Sequence, residues 1–143
     1  MDQTVSFLTV ATDDLNAAWT FYVEGLGWEP AMNVPGEVIF FQVAPGVMLS
    51  FFDAAMFVED MNAPKGSTAV PAGFTLAHNV QSEAEVVAIL ESAAAAGAVI
   101  LKPAQHAGFG GYHGHFQDPN GVVWEIAHNP SWRVDESGRV HMS

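Results

Sequence analysis

Two histidines and a glutamate near the C-terminal end have the types and spacing to do chemistry. They are His113, His115 and Glu125, within the run Gly110-Gly111-Tyr112-His113-Gly114-His115-Phe116-Gln117-Asp118-Pro119-Asn120-Gly121-Val122-Val123-Trp124-Glu125-Ile126. His113 and His115 lie two apart, so on a strand they share a face and can act on one ligand. Asp118-Pro119-Asn120-Gly121 suits a type I turn: proline presets φ at the second position and Gly121 takes the positive φ. A bulge after that turn pairs Asp118 with Val122 and sets Phe116 opposite Trp124 and His115 opposite Glu125. Alternation then places His113, His115 and Glu125 on one face, and Phe116, Trp124 and Ile126 on the other. Two imidazoles beside a carboxylate have three uses. They can hold a divalent metal as two nitrogens and a carboxylate. They can work as an acid–base pair, the carboxylate raising a histidine pKa and orienting one ring nitrogen. Or they can form a polar wall held by mutual hydrogen bonds. Spacing alone leaves all three open. In an apolar cleft Glu125 must be paired with His115, bound to ligand, or protonated.

Composition narrows the classes. With 143 residues, half of them hydrophobic, the chain is expected to form one domain with a substantial core. No apolar run approaches the ~20 residues that span a bilayer. The absence of cysteine excludes disulfides, thiolate metal sites and a cysteine nucleophile. Met1-Asp2-Gln3-Thr4 has no basic leader region, so a cytoplasmic protein is expected. Four Lys and Arg stand against sixteen Asp and Glu, for a net charge of −12. That charge repels phosphate backbones and anionic lipid, so neither nucleic acid nor membrane is expected as a partner. A neutral or cationic small molecule fits better.

The elements that must position the three residues come in two rounds. Val5 to Ala11 is an apolar, β-branched run that reads as a strand. Asp13 or Asp14 caps a helix to about Glu24, with Leu15, Ala18, Trp19 and Tyr22 at helical spacing and Gly25 and Gly27 ending it. Glu37–Ala44 and Val47–Phe52, joined by Pro45-Gly46, read as a hairpin. A mixed stretch follows to Pro71, read as a linker with room for one set of helical turns, and then the order starts again. Gly73–Val80 is a strand, and Ser82 with Glu85 forms a capping box for a helix that ends at Gly97. Val99–Lys102 is a short strand, and the hairpin above closes the round. This is a duplicated βαβββ unit, an α+β arrangement with modules at about 4–53 and 72–132, a linker at 54–71 and a tail at 133–143. Two such sheets side by side would form a concave surface suited to a ligand.

Other residues are weighed against this frame. His106 falls in a loop, as a candidate lid residue. Gly108-Phe109-Gly110-Gly111 lacks the Lys, the Ser or Thr and the following helix of a phosphate-binding loop. It reads as a flexible approach to the hairpin, with Phe109 and Tyr112 as candidate ligand contacts. His78 is expected to be structural and packed toward the helix, His128 to serve a cap or a turn, and His141 to be solvated in the tail.

Thr12-Asp13-Asp14-Leu15, Phe21-Tyr22, Gly25-Leu26-Gly27-Trp28, Gly111-Tyr112 and the segment from Asp118 to Ile126 together resemble the vicinal oxygen chelate superfamily. That group contains glyoxalase I, extradiol dioxygenases, fosfomycin-resistance transferases and bleomycin-resistance proteins. Leu76-Ala77-His78-Asn79-Val80 and His128-Asn129-Pro130 look like its glyoxalase-like single-chain members, and the resemblance covers about Val5 to Trp132. It implies two βαβββ modules forming a curved, mixed, mostly antiparallel sheet around a cleft, and a homodimer. Catalytic members hold a divalent metal with four side chains, one each from the first and last strands of each module. Matched by motif, those positions fall at Phe7, Ser50, Thr75 and Glu125. Only Glu125 is a good ligand, since Phe7 cannot bind metal and Ser50 and Thr75 bind it poorly. The usual metal site is therefore expected to be absent and no cofactor is required, with a divalent metal open only at His113, His115 and Glu125. Phe7, Ser50, Thr75 and His106 then join the candidate ligand contacts. Two functions remain: a metal-independent small-molecule binder similar to the bleomycin-resistance branch, or a lyase, isomerase or dioxygenase-like enzyme using His113, His115 and Glu125.

Overall fold

The computed structural model describes residues 1, 3, 5–60, 62–64, 73–108 and 110–142. The chain divides into two compact units, Met1–Phe74 with Pro119–Gly121, and Thr75–Asp118 with Val122–Ser143. In the first, β1 (Phe7–Thr12) leads to a helix whose N-terminus is capped by Asp14, where the Ala17 amide donates to Oδ1 at 2.9 Å. This helix, α1 (Leu15–Trp19), widens into π-helical turns over Thr20–Gly25. The Leu26 amide accordingly donates to the Phe21 carbonyl, five residues back. A single regular helix was expected to Glu24; the wider turn instead brings adjacent Phe21 and Tyr22 both into the core. β2 (Met32–Val34), β3 (Val38–Ala44) and β4 (Val47–Asp53) complete a four-stranded sheet in the order β1-β4-β3-β2. β1 runs parallel to β4, and the other pairs are antiparallel. Ile39, Phe41, Leu49 and Phe51 alternate onto the buried face, where the Tyr22 ring lies 4.7 Å from Phe51 and 5.0 Å from Trp28. Such contacts add to the burial energy of large aromatic rings.

The stretch after β4, expected as a linker with room for one set of helical turns, begins with the helix α2 (Ala54–Asp60). Asp53 starts it by accepting from the amides of Ala55 and Met56 at 3.1 and 3.0 Å.

The second unit repeats the plan. β5 (Leu76–Val80), α3 (Glu83–Ala95), β6 (Val99–His106), β7 (Tyr112–Gln117) and β8 (Val123–His128) give a sheet in the order β5-β8-β7-β6. β5 and β8 are parallel, and the rest antiparallel. The architecture is thus mixed α+β, two βαβββ modules each with a four-stranded mixed sheet. The capping box forms as expected: the Glu85 amide donates to Ser82 Oγ at 3.3 Å, and Ser82 Oγ donates to Glu85 Oε2 at 3.0 Å. Val86, Leu90 and Ala93, spaced four and three apart, form the buried stripe of α3. Phe116, Trp124 and Ile126 are buried with them, the first two rings stacked at 6.4 Å.

Two further expectations change. β6 runs to His106 rather than stopping at Lys102, so His106 ends a strand instead of sitting in a loop. The chain after β8 is also ordered, as an antiparallel hairpin of β9 (Trp132–Val134) and β10 (Val140–Met142). Within it His141 is partly solvated and also paired, its Nε2 2.7 Å from Asp135 Oδ2. Hydrogen bonds from Ser137 and His141 bring the Asp135 pKa down to about 2.

Candidate functional site

The hairpin forms with the register its sequence implies. Asp118 pairs with Val122 through an amide–carbonyl bond of 2.9 Å, and its Oδ1 accepts from the Val122 amide at 2.8 Å. Gly121 has φ of 89°, a conformation costly for any residue with a Cβ. Phe116 faces Trp124 and His115 faces Glu125 across the ladder. His113, His115 and Glu125 therefore share a face, and one ligand atom from each lies within 4.8 Å of the others.

The opposite face of the hairpin carries α3, and Gly114 shows why. A Cβ there would stand 2.5 Å from Leu90 Cδ1 of α3 and 2.8 Å from the Lys102 carbonyl of β6. Only glycine lets helix and edge strand close on β7 between the two histidines.

Within the cluster the contacts differ from expectation. Glu125 lies directly across from His115, yet its Oε1 is 4.0 Å from His115 Nε2 and 2.7 Å from His113 Nδ1. The hydrogen bond is diagonal, a reach that long side chains on one sheet face allow. His113 is the buried member, with 7% exposure. Its Nε2 meets Lys102 Nζ at 2.8 Å. A lysine ammonium only donates, so this nitrogen accepts; Nδ1 then carries the ring proton and donates to Glu125. His113 is thereby a neutral bridge between a cation and a carboxylate. His115 stands 5.3 Å from it, ring to ring. Burial lowers the His115 pKa from 6.5; Glu125 opposes the shift, and His113 and Lys102 add to it. At neutral pH its imidazole is uncharged and offers a nitrogen to a ligand.

Lys102 is the residue that alternation hides. Ile100 pairs with Phe116, and an unbroken ladder would place Lys102 opposite Gly114, on the helix face. The register shifts between Ile100 and Lys102, so Lys102 pairs with His115 and joins the histidine face. Pro103, which has no amide proton to give the ladder, follows it directly and is the one local sign of irregularity.

Phe7 is 56% exposed on β1, with its ring 6.1 Å from Phe40. Ser50 is fully buried, and its Oγ is 2.9 Å from Thr9 Oγ1 on the neighbouring strand. Both belong to the first unit. Thr75 precedes β5, and the residue directly beside Glu125 on that strand is Ala77. Tyr112 has the parity of Gly114 and Phe116, so it points away from the cluster; its ring packs edge-on against His106 at 5.1 Å. The exposed His106 is 3.9 Å from Glu83, the first residue of α3. Phe109 lies outside the described residues. His78 is exposed rather than packed against the helix, and His128 Nδ1 is 3.1 Å from the Val80 carbonyl.

A divalent ion with nitrogen and oxygen ligands at about 2.0–2.2 Å sets tetrahedral neighbours about 3.3–3.6 Å apart. Here one separation is 2.7 Å and another 4.0 Å. His113, His115 and Glu125 supply the right donor types, but they are arranged as a hydrogen-bonded group, with Lys102 on the far nitrogen of His113. Of Phe7, Ser50, Thr75 and Glu125, only Glu125 carries a side chain that binds such an ion well.

Two βαβββ modules with a polar cluster on the β7–β8 hairpin define a class, and the comparisons name it. Residues 4–126 match the family model of the Glyoxalase/Bleomycin resistance protein/Dioxygenase superfamily, and the chain belongs to that superfamily. It is similar to a glyoxalase-related enzyme from Fulvimarina pelagi, at 38% identity over 99% of each chain with a TM-score of 0.87. A glyoxalase/bleomycin resistance protein/dioxygenase from Nocardioides is 28% identical, covering 90% of this chain and 84% of that one, at a TM-score of 0.72. Lactoylglutathione lyase from Agrobacterium tumefaciens shares the fold at 22% identity, over 90% of this chain and 95% of that one, with a TM-score of 0.63. A search of curated proteins gave no match. Among the described residues, no helix is long and apolar enough to cross a membrane.

Proposed function

We propose that this chain is a small-molecule-binding protein of the glyoxalase/bleomycin-resistance type that works without the family's usual metal site. Its ligand is neutral or cationic, and it acts as a cytoplasmic homodimer. The observation that carries the reading is the state of the one retained ligand type. Glu125 is hydrogen-bonded to His113 at 2.7 Å, and the other three positions are Phe7, Ser50 and Thr75. The net charge of −12 favours a ligand without negative charge.

Elemental analysis of untagged protein tests the reading directly. Less than a tenth of an equivalent of zinc, nickel, iron or manganese is expected; one equivalent refutes it. A thermal-shift screen of cationic and neutral compounds should then find stabilising ligands, since binding to the folded state alone raises the melting temperature.

A second reading is supported by His115. Its imidazole is held neutral by burial and sits 4.0 Å from Glu125. That arrangement suits proton transfer in a lyase or isomerase, with His115 and Glu125 as the working pair and His113 orienting the carboxylate. Turnover of a carbonyl substrate that is lost in both His115→Ala and Glu125→Gln would favour this second reading over sequestration.

A further inference from the structure

We propose that Lys102 is the built-in cation of this site: it occupies Nε2 of His113, fixes the Nδ1–H tautomer against Glu125, and keeps divalent metal off the cluster. The inference rests on the metal-free reading above and goes beyond it by naming the residue responsible. Three observations carry it. Lys102 Nζ lies 2.8 Å from His113 Nε2, while His113 Nδ1 lies 2.7 Å from Glu125 Oε1, so both ring nitrogens are engaged. A metal can take His113 only by displacing the lysine or breaking the carboxylate bond. Second, the lysine reaches this face only because β6 changes register between Ile100 and Lys102. Bulges that re-aim a side chain recur beside functional sites. Third, Gly114 leaves the space that the shifted strand needs, with the Lys102 carbonyl where a Cβ would otherwise be. The chain thus uses a bulge and a glycine to put a positive charge on the far nitrogen of His113, with the carboxylate on the near one.

The charge has a direct consequence. An ammonium on Nε2 of His113, across the ring from Glu125, brings a positive charge to the cluster, and it repels a divalent ion. Removing it also frees an imidazole nitrogen for coordination. Losing one charge-assisted hydrogen bond is worth roughly ten- to a hundredfold in a binding constant.

The test uses the full chain and zinc or nickel alone, measured by equilibrium dialysis. Lys102→Met should bind one ion per chain at least about tenfold more tightly than the wild type, and Lys102→Met/Glu125→Gln should lose that gain. Equal affinity in wild type and Lys102→Met overturns the inference. Nitrogen-15 NMR of the wild type gives a readout that does not need the variant to fold: His113 should show a protonated Nδ1 and an unprotonated Nε2. A protonated Nε2 overturns the inference. A full equivalent of metal in purified wild type, with Lys102→Met no tighter, overturns both the inference and the metal-free reading. Metal-free wild type with equal affinities overturns the inference alone.

Discussion

Gly114→Ala tests the packing that brings the cluster together. The added methyl would lie 2.5 Å from Leu90 Cδ1, 2.8 Å from the Lys102 carbonyl oxygen and 3.2 Å from the Ala104 amide nitrogen. The leucine tip can rotate away, but the Lys102 carbonyl is backbone and moves only with β6. Overpacking of this kind costs about 1–3 kcal/mol, and the lower unfolded-state entropy of alanine returns roughly 0.4–1 kcal/mol. A net loss of about 1–2 kcal/mol follows, which for a domain of this size lowers the melting temperature by roughly 3–8 °C. Differential scanning calorimetry reads it directly. In a Leu90→Ala background the side-chain clash disappears while the carbonyl clash stays, so the penalty of Gly114→Ala should shrink but not vanish. Because β6 must shift, the His113 Nε2 resonance should move as well. A Gly114→Ala protein that melts within 1 °C of wild type, with its His113 signals unchanged, would refute the account of why glycine separates the two histidines.

Two smaller perturbations probe the frame and the site. Ser82→Ala removes the N-cap of α3 and should cost about 1 kcal/mol in urea unfolding; an unchanged midpoint would mean that the cap at 3.3 Å contributes nothing. His115 should titrate below 6.5 by NMR, because burial disfavours its charged form. The sign for stability follows from the unfolded chain, which takes up this proton first as pH falls through 6.5. The contribution is complete above that value and is lost toward the lower folded-state pKa. His115→Asn should therefore flatten the slope of stability against pH just below 6.5, and a His115 midpoint above 6.5 would show that Glu125, not burial, dominates its environment.

The hairpin was legible because its signals are local. Proline presets one turn angle, Gly121 takes the positive φ, and the period of two does the rest, so Phe116 against Trp124 and His115 against Glu125 follow from residue types. The duplicated order of strand, helix and hairpin was legible for the same reason, through caps at Asp14 and Ser82 and runs of alternating apolar residues. The π-helical turns after Trp19 were not, since only packing against the sheet selects the wider turn that buries both Phe21 and Tyr22. The length of β6 is not legible either, because Pro103 reads as a stop and the ladder of β6 is irregular.

The sequence by itself determined that two imidazoles and a carboxylate share one sheet face. Tertiary structure decided what they do there. Which histidine Glu125 bonds depends on side-chain reach across the face, and ladder pairing does not specify it. Lys102 joins them because a one-residue register shift moves it to the other side of its strand. That shift is settled by how β6 closes on β7 at Gly114 and Leu90, contacts between residues far apart in the chain.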